Sequence, residues 1–367
     1  MTRTLAPVAR LPRRQSGTAA MLAGTVLALI LGIVAVPPAA AHQTIRLVGD
    51  GATFPAPLYL RWFRDYYDAH PSIEPDYQGI SSAGGIRDLI LGHVDFAGAD
   101  LRMSAEDVAK VQGGVVQLPM AAGAIVFVYN LAGVDGLKLS REALTGIFTG
   151  DIARWNDPRI AAANPGVELP DEPITVIVRV GASGTTYNLT RHLSAVSQRL
   201  AEEVGVSLAP VWPAALAKRG ALVKGNGNDG VAALVEALPG AIGYVQYAYG
   251  HLTRMKMAAL ENKAGNMVAP DVPGFTAAVE SIRAKPTEVI LSDPDGAGAY
   301  PIIAVSWLLM RKVYADADKR AALIDVLRYA LGPGQKDVEL LGYIPYSEAA
   351  LESLRAELDR LDPRNDQ

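Results

Sequence analysis

The chain has 367 residues, a formal net charge of −4 at pH 7 and no cysteine. That balance argues against a surface built for nucleic acid. The missing cysteines exclude disulfides, thiolate metal sites and a lipid-modified cysteine, and the length suits two domains.

Residues 1–41 read as a signal peptide. Arg3, Arg10, Arg13 and Arg14 form a basic start, residues 19–36 are an apolar run, and Pro37-Pro38-Ala39-Ala40-Ala41 supplies a break and a small-residue cleavage site. The apolar run is long for a signal, so a retained anchor is the competing reading. Cleavage leaves a chain starting at His42 with a net charge of −8, expected in the periplasm and not lipidated. Anion binding in so acidic a chain must rest on local dipoles and a few placed cations.

Downstream, strands and helices alternate. Residues 44–48 read as a strand, and 55–67 as an amphipathic helix with Leu58, Trp62, Phe63 and Tyr66 on one side. A strand at 73–77, a helix at 84–91 and a strand at 94–97 follow, then strand candidates at 115–118 and 124–129. Residues 141–148, 160–163 and 185–194 have helical character, and 174–180 is a β-branched strand. A helix at 229–237, strands at 241–247 and 302–310, and helices at 317–331 and 347–361 complete the pattern. Helices after short strands predict an α/β fold with mixed, mainly parallel sheet. Leu118-Pro119-Met120 and the Gly-, Asp- and Pro-rich residues 293–301 read as two crossings between lobes. The expected division is lobe I from 42–119 and 299–367, discontinuous, and lobe II from 120–298, with a hinged cleft between them.

Three segments place Ser or Thr before a predicted helix: Ala52-Thr53-Phe54-Pro55, Ser81-Ser82-Ala83-Gly84-Gly85 and Ala182-Ser183-Gly184-Thr185. A helix start presents unpaired N–H groups and the positive end of the macrodipole. One such start is ordinary capping; three that converge would bind a small oxyanion. The Gly-Ala-Ser-Gly-Thr turn is not a nucleophile elbow, which needs Gly at position 185. It is not a Walker A loop either, since no Gly-Lys-Ser/Thr follows. His42, His70, His93, His192 and His251 show no metal-ligand spacing.

Several blocks of up to nine residues carry a resemblance. They are Gly49-Asp-Gly-Ala-Thr-Phe-Pro-Ala-Pro57, Tyr77-Gln-Gly-Ile-Ser-Ser-Ala-Gly-Gly85, Val94-Asp-Phe-Ala-Gly-Ala-Asp100, Gly150-Asp-Ile-Ala-Arg-Trp-Asn-Asp157, Asn164-Pro-Gly166, Gly227-Asn-Asp-Gly230 and Leu238-Pro-Gly-Ala-Ile-Gly-Tyr244. In this order they resemble the periplasmic phosphate-binding proteins of the high-affinity phosphate ABC importer. The resemblance implies a two-lobed type II periplasmic-binding-protein fold closing on one phosphate. It implies phosphate contacts at Thr53, Phe54, Ser82, Asp100, Arg179, Ser183, Gly184 and Thr185. The family usually has Asp two residues after the arginine; here that position is Gly181.

A carboxylate in an anion site repels its ligand unless the ligand carries a proton. Hydrogen phosphate does and sulfate does not, so Asp100 is the candidate for selectivity. The bland alternative makes Asp100 a turn cap with Ser104. The expectation is therefore an exported, monomeric phosphate receptor that hands its ligand to the permease subunits of an ABC transporter. No catalytic residue, metal, cofactor or nucleic-acid partner is expected. The rival readings are a secreted phosphatase on the same fold and a receptor for another tetrahedral oxyanion such as sulfate.

Overall fold

The computed structural model describes residues 44–283 and 292–365; the expected signal peptide and its cleavage point lie outside them. In chain order the elements are β1 (Ile45–Gly51), α1 (Ala56–Ala69), β2 (Ile73–Gly79), α2 (Ser82–Leu91), β3 (Phe96–Ala99), α3 (Ala105–Lys110) and β4 (Val115–Tyr129). Next come β5 (Lys138–Leu139), α4 (Arg141–Thr149), α5 (Pro158–Ala161), β6 (Thr175–Arg179), α6 (Gly184–Val196), α7 (Gln198–Glu203), α8 (Ala214–Lys218), β7 (Leu222–Gly225) and α9 (Gly227–Ala237). The chain continues through β8 (Ala241–Gln246), α10 (Tyr247–Leu252), β9 (Ala259–Glu261), β10 (Met267–Val268), α11 (Val272–Arg283), β11 (Ile303–Arg311), α12 (Ala317–Ala330) and α13 (Glu348–Leu361). Among the described residues no helix is long and apolar enough to cross a membrane.

Eight strands form one sheet in the order β2-β1-β3-β11-β4-β8-β6-β7. Both ends are parallel: β1 pairs with β2 and β3, and β6 pairs with β7 and β8. The middle is antiparallel because β11 returns alongside β3 and β4, and β4 pairs with β8. The α/β class expected from the sequence is the class observed.

The long strand β4 joins the two halves. Residues 115–124 pair with β11 and residues 125–129 with β8. Ala124, Ile125, Val126, Phe127 and Val128 are fully buried, which explains their unbroken apolar run: a strand covered on both faces has no polar side. The sequence reading breaks this strand at Pro119, yet it runs through. Pro119 sits opposite Trp307, where the register of β11 shifts, and such an irregularity is where a strand tolerates a residue without an N–H.

Helix α1 lays Leu58, Tyr59, Trp62, Phe63 and Tyr66 into the core. Tyr59 meets Tyr77 edge-on at 5.1 Å, and Phe63 meets Phe96 edge-on at 5.6 Å. Within this aromatic cluster the Tyr77 hydroxyl donates to the Ala52 carbonyl at 2.7 Å, fixing the turn that leads to Thr53. The cluster thus links core packing directly to one wall of the candidate site.

Candidate functional site

The three hydroxyl-led segments do converge, but only one uses its site residue as a cap. Strand β6 ends at Arg179, and the following turn brings Ser183 to the start of α6. There the Ser183 hydroxyl accepts the Thr186 N–H at 3.2 Å, an ordinary N-cap. At α2 the cap is Ser81, which accepts the Gly84 N–H at 3.0 Å. This frees the Ser82 hydroxyl, which accepts the Asp100 N–H at 3.1 Å. At α1 there is no side-chain cap. The Thr53 hydroxyl oxygen instead accepts from Asn228, at 3.2 Å from its backbone N–H and 2.9 Å from its side-chain amide.

Gly184 shows how tightly these segments meet. A Cβ built there would lie 2.3 Å from Ser82 Oγ and 2.6 Å from Asp100 Cβ. Only glycine permits that approach. One turn on, Asn188 donates to the carbonyls of Asp100 at 2.8 Å and Gly184 at 3.0 Å. The start of α6, the start of α2 and the end of β3 are therefore one packed unit.

Thr53, Ser82, Asp100, Arg179, Ser183, Thr185 and Asn228 are all 0 to 6 % exposed. Burial pushes the Asp100 carboxyl up to about 7, against the opposing pull of Ser306, Arg179 and Ser82. Burial likewise lowers the Arg179 guanidinium from its ordinary value, opposed by Tyr244 and Asp100. Arg179 donates through Nη1 to the Thr185 hydroxyl at 3.3 Å. Asp100 Oδ1 and Arg179 Nε have no hydrogen-bond partner among the described residues. A buried acceptor and a buried donor left open each cost free energy unless a ligand pairs them.

Asp100 does not cap the next turn; Ser104 caps α3 alone, accepting the Asp107 N–H at 3.1 Å. Phe54 contributes a fully buried ring, 6.4 Å from the Tyr343 ring. Its carbonyl accepts from the Tyr343 hydroxyl at 2.7 Å. Gly181 has φ +72°, and a Cβ there would meet nothing within 4 Å. The left-handed backbone favours glycine, and no carboxylate at this position tethers Arg179.

Sequence reasoning missed the residues that hold the site from a distance. Asn228 grips Thr53 across 175 positions, and the Tyr249 hydroxyl donates to the Thr53 carbonyl at 2.6 Å across 196. The Gly227-Asn-Asp-Gly230 block was visible as a helix opening. Nothing in its local spacing points to Thr53.

Residues 38–333 match the family model described as the PBP superfamily domain. The phosphate-binding protein PstS of Xylella fastidiosa (strain 9a5c) is 36% identical over 326 residues, covering 87% of this chain and 87% of its own. That of Pasteurella multocida (strain Pm70) is 36% identical over 338 residues, covering 91% of this chain and 95% of its own. A solved high-affinity periplasmic phosphate-binding protein, bound with phosphate at pH 8.5, superposes with a TM-score of 0.68 at 22% identity, covering 85% of this chain and 93% of its own. The phosphate-binding protein from Stenotrophomonas maltophilia gives a TM-score of 0.65 at 21% identity, covering 85% and 94%. Those two structures share the fold, and the identity to the first two relatives carries the kinship further: the chain belongs to the PBP superfamily and, within it, to the PstS family of phosphate-binding proteins.

Proposed function

We propose that this protein binds inorganic phosphate with Thr53, Phe54, Ser82, Asp100, Arg179, Ser183, Gly184 and Thr185, and delivers it to the permease of an ABC importer. One observation carries this reading: inside a buried cradle of N–H and hydroxyl donors, a single carboxylate oxygen, Asp100 Oδ1, is left without a donor. The donors suit any tetrahedral oxyanion. The open acceptor suits one with a proton to give. Hydrogen phosphate offers three acceptor oxygens and one O–H; sulfate near neutral pH offers no O–H and would leave Asp100 repelled and unpaired.

Binding needs no covalent step. Ser183 Oγ accepts from its own helix, and the histidine on that helix, His192, lies 3.5 Å from Ser292 instead, so Ser183 has no base to make it a nucleophile. We place the protein in the periplasm as a monomer that is not an enzyme. We place a hinge at the two crossings, Leu118-Pro119-Met120 within β4 and residues 293–301 before β11, between lobe I (42–119 and 299–367) and lobe II (120–298). Closure buries the anion, and reopening releases it to the permease. Calorimetric titration with phosphate and sulfate tests the proposal. Phosphate is expected to bind and to exclude sulfate; equal affinities, or no phosphate binding, would sink it.

A further inference from the structure

We infer that Asn228 is a positioning residue that sets the proton direction of the phosphate site, an inference that rests on the phosphate reading above. Asn228 is fully buried at the first turn of α9. Its orientation is fixed: Oδ1 accepts the Gln246 backbone N–H at 3.2 Å, and a backbone N–H only donates. Nδ2 therefore faces the site. It donates to Thr53 Oγ1 at 2.9 Å and lies 3.5 Å from Thr185 Oγ1. The backbone N–H of Asn228 adds a second donor to Thr53 Oγ1 at 3.2 Å.

A hydroxyl oxygen has two acceptor positions and one proton. At Thr53 both acceptor positions are filled by Asn228, so only the O–H remains. At Thr185 the oxygen accepts from Arg179 Nη1 at 3.3 Å and faces Asn228 Nδ2. Both threonines are thereby turned into donors alone. Neither offers an acceptor to a protonated ligand oxygen, so the proton of bound hydrogen phosphate is steered to Asp100. Asn228 touches no ligand in this scheme; it acts through the two hydroxyls.

The decisive experiment combines titration with neutron diffraction of the phosphate complex. In the wild type, the Thr53 and Thr185 hydroxyl deuterons are expected to point at phosphate oxygens. Either one pointing at Asn228 would overturn the inference, with no variant required. By calorimetry, Asn228→Asp, which has the same shape but accepts where Asn donates, is expected to weaken phosphate binding by about 100-fold. Asn228→Ala, which leaves the hydroxyls free to rotate, is expected to lose about tenfold. That order is the reverse of a purely packing role, in which truncation harms more than an isostere. Phosphate binding by the wild type with unchanged affinity in both variants would overturn this inference alone. No phosphate binding by the wild type would overturn the site reading with it.

Discussion

Two carboxyls at the ends of neighbouring parallel strands are both pushed up by burial, yet they have opposite surroundings. Asp100, just after β3, rises to about 7 among Ser306, Arg179 and Ser82. Asp50, on β1, rises to about 6 beside a second acid, Asp88. Asp88 is held low by its hydrogen bond to Arg87. The two carboxyls of this pair are therefore pushed apart: as the pH falls through about 6 Asp50 takes up a proton, while Asp88 is held low and keeps its charge. Asp100 has no second acid to share with, and the groups that oppose its rise, Ser306, Arg179 and Ser82, belong to other segments. A raised carboxyl is thus not a mark of a ligand site. Each leaves its Oδ1 without a hydrogen-bond partner among the described residues; what distinguishes the two is that Asp50 has a second acid beside it, whereas Asp100 stands among Ser306, Arg179 and Ser82.

The sharpest way to break that contrast is Asp100→Asn. It removes the acceptor while keeping the shape, so sulfate no longer meets a buried charge. The ratio of phosphate to sulfate affinity is expected to fall by about 10³, since an unmatched buried charge costs several kcal/mol. Parallel titrations with both anions measure it, and an unchanged ratio would remove Asp100 from the selectivity argument.

Gly184→Ala tests the packing that brings Asp100 to the start of α6. The new Cβ would overlap Ser82 Oγ and Asp100 Cβ, so the two segments must separate. Overpacking of this kind costs about 1–3 kcal/mol, and phosphate affinity is expected to fall about 10- to 100-fold. Wild-type affinity in this variant would mean that the close approach is not needed for binding.

These tests fall where the sequence was least readable. The buried strands and the long helices were legible because a short apolar run and a 3.6-residue period are local properties. Ser183 was legible for the same reason, since a cap bonds its own helix. Thr53 and Ser82 looked like caps too, but their hydroxyls are taken by Asn228 and by the Asp100 N–H. Those bonds depend on which strands become neighbours. The two-residue strand β5 pairs with β9 from more than a hundred positions away, and it too leaves no local pattern. The resemblance supplied the list of site residues; local sequence supplied their helix starts; neither supplied Asn228 or Tyr249.

The Asp50–Asp88 pair gives a smaller, stability-based test. The folded-state value for Asp50 is raised from 3.8 to about 6. Its contribution is then fully present below about pH 4 and is lost as the pH rises through about 6. The group is only half-buried, so solvent screening reduces the effect to about 1 kcal/mol. Asp50→Asn keeps a neutral partner for Asp88 at every pH. It is expected to melt about 2–4 °C above the wild type at pH 7.5, with the gap closing near pH 4. A constant gap across that range would mean that Asp50 and Asp88 do not share a proton.

Gly181→Asp carries the comparison to its smallest expected effect, because it would set a second charged group beside Arg179, as Asp88 stands beside Asp50. Arg179 Nε lacks a partner among the described residues, and a carboxylate two residues on would offer one, worth about 0.5–1 kcal/mol at a partly exposed position. The backbone at Gly181 has φ +72°, and a non-glycine residue there costs about 1 kcal/mol. The two effects nearly cancel, so the melting temperature is expected to stay within about 2 °C. Phosphate affinity is expected to change less than threefold, because the remaining donors come from backbone N–H groups and hydroxyls that the substitution does not touch. A tenfold loss would show that phosphate depends on the open charge of Arg179, and that in this chain the guanidinium, rather than the helix starts, holds the anion.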